Sequence, residues 1–149
     1  MEEIWRRRGP SEMDTDALHA MISTPLMMGG YVYGVDCYGQ LRCLHSDTGD
    51  RVGEDVTAVP QRRWATIHMV RNGERVWMFN ECGELSVAKL SPEGFHPVSR
   101  AALIEPTRGQ LGRGSGVCWS HPAYAMGHVF ARNDVELVCA KLTAEPGRN

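Results

Sequence analysis

The chain has 149 residues, 42% of them hydrophobic and 23% charged, with a formal net charge of −2. This is the size and composition of one ordinary globular domain, and the mixed signs argue against nucleic acid or an anionic membrane as the main partner. No apolar run approaches the ~18–20 residues that span a bilayer. Cysteine is present in an odd number, with no C-x-x-C pair, which supports neither a complete disulfide framework nor a zinc ribbon.

In chain order, MEEIWRRRGPSEMD has no apolar stretch of the kind that marks a secretory signal. Residues 1–9 read as an outer strand that ends a preceding unit, and Asp14–Met21 as the only short helix. Runs of β-branched and aromatic residues, bounded by turn residues, then predict strands near 21–27, 30–36, 40–45 and 51–57. A second set is predicted near 64–71, 75–81, 84–90 and 95–100, and a third near 117–124, 128–132 and 136–142. Residues 102–115, with Pro106 and several glycines, read as a surface loop.

These sets repeat one another. Val32-Tyr33 leads to Gly39-Gln40-Leu41, Val76-Trp77 to Gly83-Glu84-Leu85, and Val129-Phe130 to Glu136-Leu137. Tight turns precede each valine at Gly29-Gly30, Asn72-Gly73 and Gly127. After each leucine come Asp47-Thr48-Gly49, Pro92-Glu93-Gly94 and Thr143-Ala144-Glu145. A four-stranded unit of roughly 40–50 residues is the pattern of a β-propeller blade. The expected fold is therefore all-β: a partial β-propeller of about three blade units, near 21–57, 64–100 and 116–144. Rings typically close with about 4–8 blades, so the chain reads as the C-terminal portion of a larger propeller or as one that pairs with another chain.

The stretch LRCLHSDTGDRVG resembles the PQQ-like β-propeller repeat, in which a leucine and a short strand lead to Asp-x-x-Thr-Gly and then tryptophan. Thr48-Gly49 match; Gly53 stands at the tryptophan position, as does Val98 in the second copy. Trp5 after Glu2-Glu3-Ile4 is similar to the end of the same motif. WRRRGPSEMDTDALHAMISTP and CWSHPAYAMGHVFARNDVELVCAKL resemble the C-terminal part of such proteins. The resemblance implies the quinoprotein alcohol dehydrogenase-like superfamily, whose members are often exported to the periplasm or cell envelope.

The function this implies is a non-catalytic scaffold or binding module for a protein or a small ligand, with no cofactor. Self-association through exposed blade edges is the other partner expectation. The alternative is a fragment of a PQQ-dependent oxidoreductase, using PQQ and calcium, whose cofactor residues lie outside this chain. Such an enzyme needs a carboxylate base, calcium ligands and usually a vicinal disulfide. The sequence contains no Cys-Cys dipeptide, and no catalytic residue is transferred onto it.

Five sets of residues are candidates for chemistry or packing. His68 and His121 lie at the same spacing ahead of Val76 and Val129, with Thr24 at the third equivalent place and His19 expected near the same end. The first strand of a propeller blade is innermost, so His68, His121 and His19 are candidates to line the central channel, where imidazoles suit a transition metal or an anion, or a hydrogen bond that ties one blade to the next. Cys43, Val87 and Cys139 each follow the repeated leucine and read as core positions. Cys37 and Cys82 fall beside turns and are expected to be more exposed. Tyr33, Trp77 and Phe130 are repeat-equivalent and read as inter-blade packing, with Trp64 and Trp119 also on strands. Asn80-Glu81 and Asn133-Asp134 read as turn residues that hydrogen-bond their own backbone.

Overall fold

The computed structural model of the protein describes residues 1–111 and 114–142. Three antiparallel meanders follow one another along the chain. The first sheet contains β1 (Leu26–Met28), β2 (Tyr31–Val35), β3 (Leu41–His45) and β4 (Arg51–Asp55), in that order. The second contains β5 (Ile67–Asn72), β6 (Arg75–Asn80), β7 (Glu84–Ser91) and β8 (Gly94–Ala102). The third contains β9 (Ala123–Ala125), β10 (His128–Arg132) and β11 (Leu137–Lys141). The expected turn at Thr143-Ala144-Glu145 lies outside the described residues.

Local sequence accounts for the hairpins. Gly29 and Gly30 both have positive φ, 62° and 83°, the conformation of a two-residue turn whose twist matches its strands. Met126 and Gly127 do the same between β9 and β10, with φ of 49° and 73°. Between β2 and β3, and at the equivalent places in the other sheets, a side-chain oxygen closes the turn. Cys37 N–H donates to Asp36 Oδ1 at 2.8 Å. Cys82 and Glu84 N–H donate to Asn80 Oδ1, and Val135 and Glu136 N–H to Asn133 Oδ1. These are the expected turn roles of Asn80 and Asn133.

Strand alternation gives each sheet two faces, and the repeat assigns them consistently. Tyr33, Val35, Leu41 and Cys43 of the first sheet meet Ile67, Met69, Val76, Met78 and Ala88 of the second in one buried cluster. Phe79 and Leu85, on the opposite face of the second sheet, join Val129 and Ala131 of the third in another, with Trp77, Tyr124, Val138 and Ala140 packed on it. In both joints the face that carries Tyr33 or Trp77 packs on the face that carries the repeated valine, Val76 or Val129, which brings an aromatic residue of its own, Phe95 or Tyr124. Burying apolar side chains in this way contributes about 1.5–3 kcal/mol each.

Several expectations need correction. Asp14–Met21 is not helical. The carbonyls of Thr15 and Ala17 instead accept hydrogen bonds from Arg42 Nη1, at 2.8 and 2.5 Å, so they are not free for a helical ladder. Residues 1–9 form no strand; Trp5 donates its indole N–H to the Ser46 carbonyl, and its ring sits against Gly49. The strand expected over 117–124 shortens to Ala123–Ala125, with Val117 held by an isolated bridge to Thr107. Cys37 is buried rather than exposed, packed beneath the Glu12 carbonyl. Cys139, expected in the core, is exposed, because the third sheet has no neighbour on that face among the described residues. No helix of the described residues is long and apolar enough to cross a membrane, which says nothing of strands.

The first sheet's outward face is covered by the N-terminal segment. Gly34 and Arg42 share this face, and Leu18 packs so closely on Gly34 that a Cβ there would lie 2.5 Å from Leu18 Cδ2. Arg42 is buried and stands 2.6 Å from Asp36 Oδ2 and 3.1 Å from Glu54 Oε2. An arginine on a core strand is tolerated here because two carboxylates and two carbonyls surround it.

Candidate functional site

The joint between the second and third sheets gathers the polar aromatic residues. His68 on β5 is paired across the ladder with Phe79, so both point toward the third sheet. Its Nε2 lies 2.9 Å from the Trp119 carbonyl. A carbonyl only accepts, so Nε2 carries the proton and Nδ1 holds a lone pair. That Nδ1 is buried and has no partner among the described residues. Burial lowers the His68 pKa below its ordinary value; the Trp119 hydrogen bond acts the other way, and nearby His121 lowers it a little further.

His121 precedes β9, and its ring centroid is 4.8 Å from that of His68, with the planes at 58°. Its Nδ1 lies 2.6 Å from the Pro122 carbonyl, which fixes the proton on Nδ1 and leaves the lone pair on Nε2. His121 is exposed while His68 is buried, so the pair runs from the interior of the joint to solvent. The two histidines marked by the repeat are therefore brought together, and His68 also forms the tie between sheets. Thr24, the third equivalent residue, is exposed. His19 follows Leu18 on the segment that covers the first sheet, and it makes no ring contact with the pair among the described residues.

Trp119 and Trp64 stand edge to face with centroids 6.2 Å apart. The buried Trp119 Nε1 has no partner among the described residues. Trp64 has a φ of 72°, a left-handed conformation that costs on the order of 1–3 kcal/mol in a bulky residue. Arg63 lies 4.8 Å over its ring and pairs with Glu12. Trp77 and Tyr124 pack at 4.6 Å across the same joint, the inter-blade role expected of Trp77. Tyr33 is buried in the first joint, whereas Phe130 is only half-buried.

Glu81, which in sequence reads as a turn residue, has a further role. It is fully buried: Oε2 accepts from Thr66 N–H at 3.1 Å, and Oε1 accepts from Arg62 Nε at 3.1 Å. Arg62 also reaches Ser115 Oγ at 2.5 Å and Cys82 Sγ at 3.2 Å. The pair thus locks the linker before β5 to the β6–β7 turn and to the loop before the third sheet. A short Arg-Arg dipeptide in a linker carries no signal that one arginine has a buried carboxylate waiting. Burial, with the nearby Glu81 carboxylate, pushes the Cys82 thiol up to about 11, so Cys82 is not an activated nucleophile.

No family model and no curated protein sequence matches the chain. Among solved structures, BamB from Moraxella catarrhalis shares the fold, with a TM-score of 0.57 and 16% sequence identity over 79% of this chain. The fold is a partial β-propeller. The chain spans 36% of the length of that BamB chain, and each of its sheets corresponds to a propeller blade. The histidine pair therefore lies at the joint between two consecutive blades, at the level of their first strands. Among the described residues, no third His, Cys, Asp or Glu converges with it.

Proposed function

We propose that the chain is a non-catalytic scaffold or binding module of the PQQ-like propeller type, which engages a protein partner or a second copy of itself. One observation carries this reading. Tyr33, Leu41 and Cys43 of the first blade, and Trp77, Phe79 and Leu85 of the second, are covered by the blade that follows. The corresponding face of the third blade carries Phe130, Leu137 and Cys139, with Leu137 70% exposed. A face built to the same rule as two covered ones offers apolar area to a partner.

Sedimentation of the purified chain over a range of concentrations tests the proposal. Association that is lost in Leu137→Glu, with the strand spectrum retained, is the expected result. A monomer at every concentration, unaltered by the substitution, counts against self-association. The quinoprotein alternative is tested on the same sample: steady dye reduction after addition of PQQ and calcium would replace the scaffold reading. None of the described residues is assigned to PQQ or calcium.

A further inference from the structure

We propose that His68 and His121 form a two-histidine site for a borderline divalent transition ion such as zinc, set in the joint between the second and third blades. Both imidazoles have the arrangement found in metal-binding histidines: one ring nitrogen donates to a backbone carbonyl, which fixes the tautomer and aims the other lone pair. His68 does this through the Trp119 carbonyl and His121 through the Pro122 carbonyl. The resulting free nitrogens are His68 Nδ1 and His121 Nε2.

A buried acceptor with no donor costs stability, about 1–3 kcal/mol. His68 Nδ1 is such an acceptor, in a side chain only 4% exposed. A metal ion would satisfy it. Zn–N bonds of ~2.0–2.1 Å place a ring centroid ~3.2 Å from the ion, and two rings on a tetrahedral centre ~5 Å apart. The observed separation is 4.8 Å, with the planes well away from parallel stacking at 58°. His121 is exposed, so an ion would approach from its side, and the remaining positions would go to water or to a group from a bound partner. Neutral imidazole is the ligand form, and the burial of His68 favours neutrality.

The ligands come from two blades, so the ion would act as a clasp across their joint. Binding only to the folded joint must then raise the melting temperature as the free ion rises above its dissociation constant. The experiment is titration of the metal-free chain with zinc ion, followed by calorimetry and thermal unfolding. One zinc per chain, binding with micromolar affinity and raising the melting temperature, is expected. His121→Ala, at an exposed position, should weaken binding at least tenfold. His68→Gln keeps a donor for the Trp119 carbonyl and should weaken it comparably. Absence of saturable one-to-one binding overturns the proposal, as does unchanged affinity in His121→Ala. Should His68→Gln fail to fold, nitrogen NMR of the unaltered protein decides the matter for that residue. An unprotonated His68 Nδ1 whose resonance moves with zinc supports the site, and a protonated one overturns it.

Discussion

Gly53 on β4 lies so close beneath the Pro92 carbonyl that a Cβ added to it would sit 2.4 Å from that oxygen. The position reads in sequence as one where a tryptophan has been lost and an apolar contact with it. In space it is where the outer strand of the first blade passes under the β7–β8 turn of the second, and only glycine fits. Gly53→Ala is therefore expected to destabilise the fold by about 1–3 kcal/mol, through the overpacking it forces. Gly53→Trp should be worse, not better. Thermal unfolding checks both, and a melting temperature equal to or above that of the parent would show that the two blades separate freely here.

Arg42 and Asp36 face each other with almost no exposure, at 4% and 1% of their side-chain surface. Removing only the arginine leaves a buried carboxylate without its counter-charge, which costs about 3–5 kcal/mol. Arg42→Met should fall in that range in a denaturant titration. Pairing it with Asp36→Asn, which keeps the acceptor used by Cys37 N–H, should recover much of the loss. Equal destabilisation in the single and double variants would mean that the charge itself is not what matters.

Trp77 and Tyr124 connect the second and third blades with ring centroids 4.6 Å apart. A double-mutant cycle with Trp77→Leu and Tyr124→Leu should return a coupling of about 0.5–1.5 kcal/mol beyond the separate losses. A coupling near zero would leave area burial as the sole contribution of this contact.

The cysteines differ in reach and in acidity. Cys139 is exposed, and Cys37, Cys43 and Cys118 are buried. Burial pushes the thiols of Cys82 and Cys118 from 9.0 up to about 11, and raises those of Cys37 and Cys43 as well. Native protein near neutral pH should take up one equivalent of a maleimide rapidly, at Cys139, and the others only on unfolding; Cys139→Ser should abolish the fast phase. The raised values also have a sign for stability. The folded chain holds these protons more tightly than the unfolded one, so their contribution is complete below the unfolded value of about 9 and is lost as pH rises toward 11. Melting temperature should decline over that window, and less steeply in Cys82→Ser.

Much of the fold was legible because blade cores obey a short rule. The valine, aromatic and leucine of each copy mark β2, β6 and β10 and their partners, and alternation places Tyr33 and Trp77 on one face with Val76 and Val129 on the other. Asn80 and Asn133 were legible for the same reason, since turn chemistry is local. Contacts between distant segments left no such trace. The cover formed by Thr15, Ala17 and Leu18 has no period and borrows its hydrogen bonds from Arg42. Cys139 repeats the position of Cys43, yet its exposure depends on what stands opposite, which repetition does not encode. For the histidines, spacing placed His68 and His121 at equivalent positions, but the unpartnered Nδ1 depends on where the Trp119 carbonyl falls.

The covered face of the first blade bears on how copies of the chain could assemble. Head-to-tail stacking requires one end of a molecule to fit the opposite end of the next, and it propagates into fibres if the rotation does not close. Here the two ends are unlike. Leu18 and its neighbours occupy the socket at one end, while the apolar face of the third blade is uncovered at the other among the described residues. The remaining symmetric arrangement is like face on like face about a two-fold axis, which terminates at two copies. With that socket filled by the N-terminal segment, any self-association of the described fold is expected to stop at a closed dimer instead of growing into a filament.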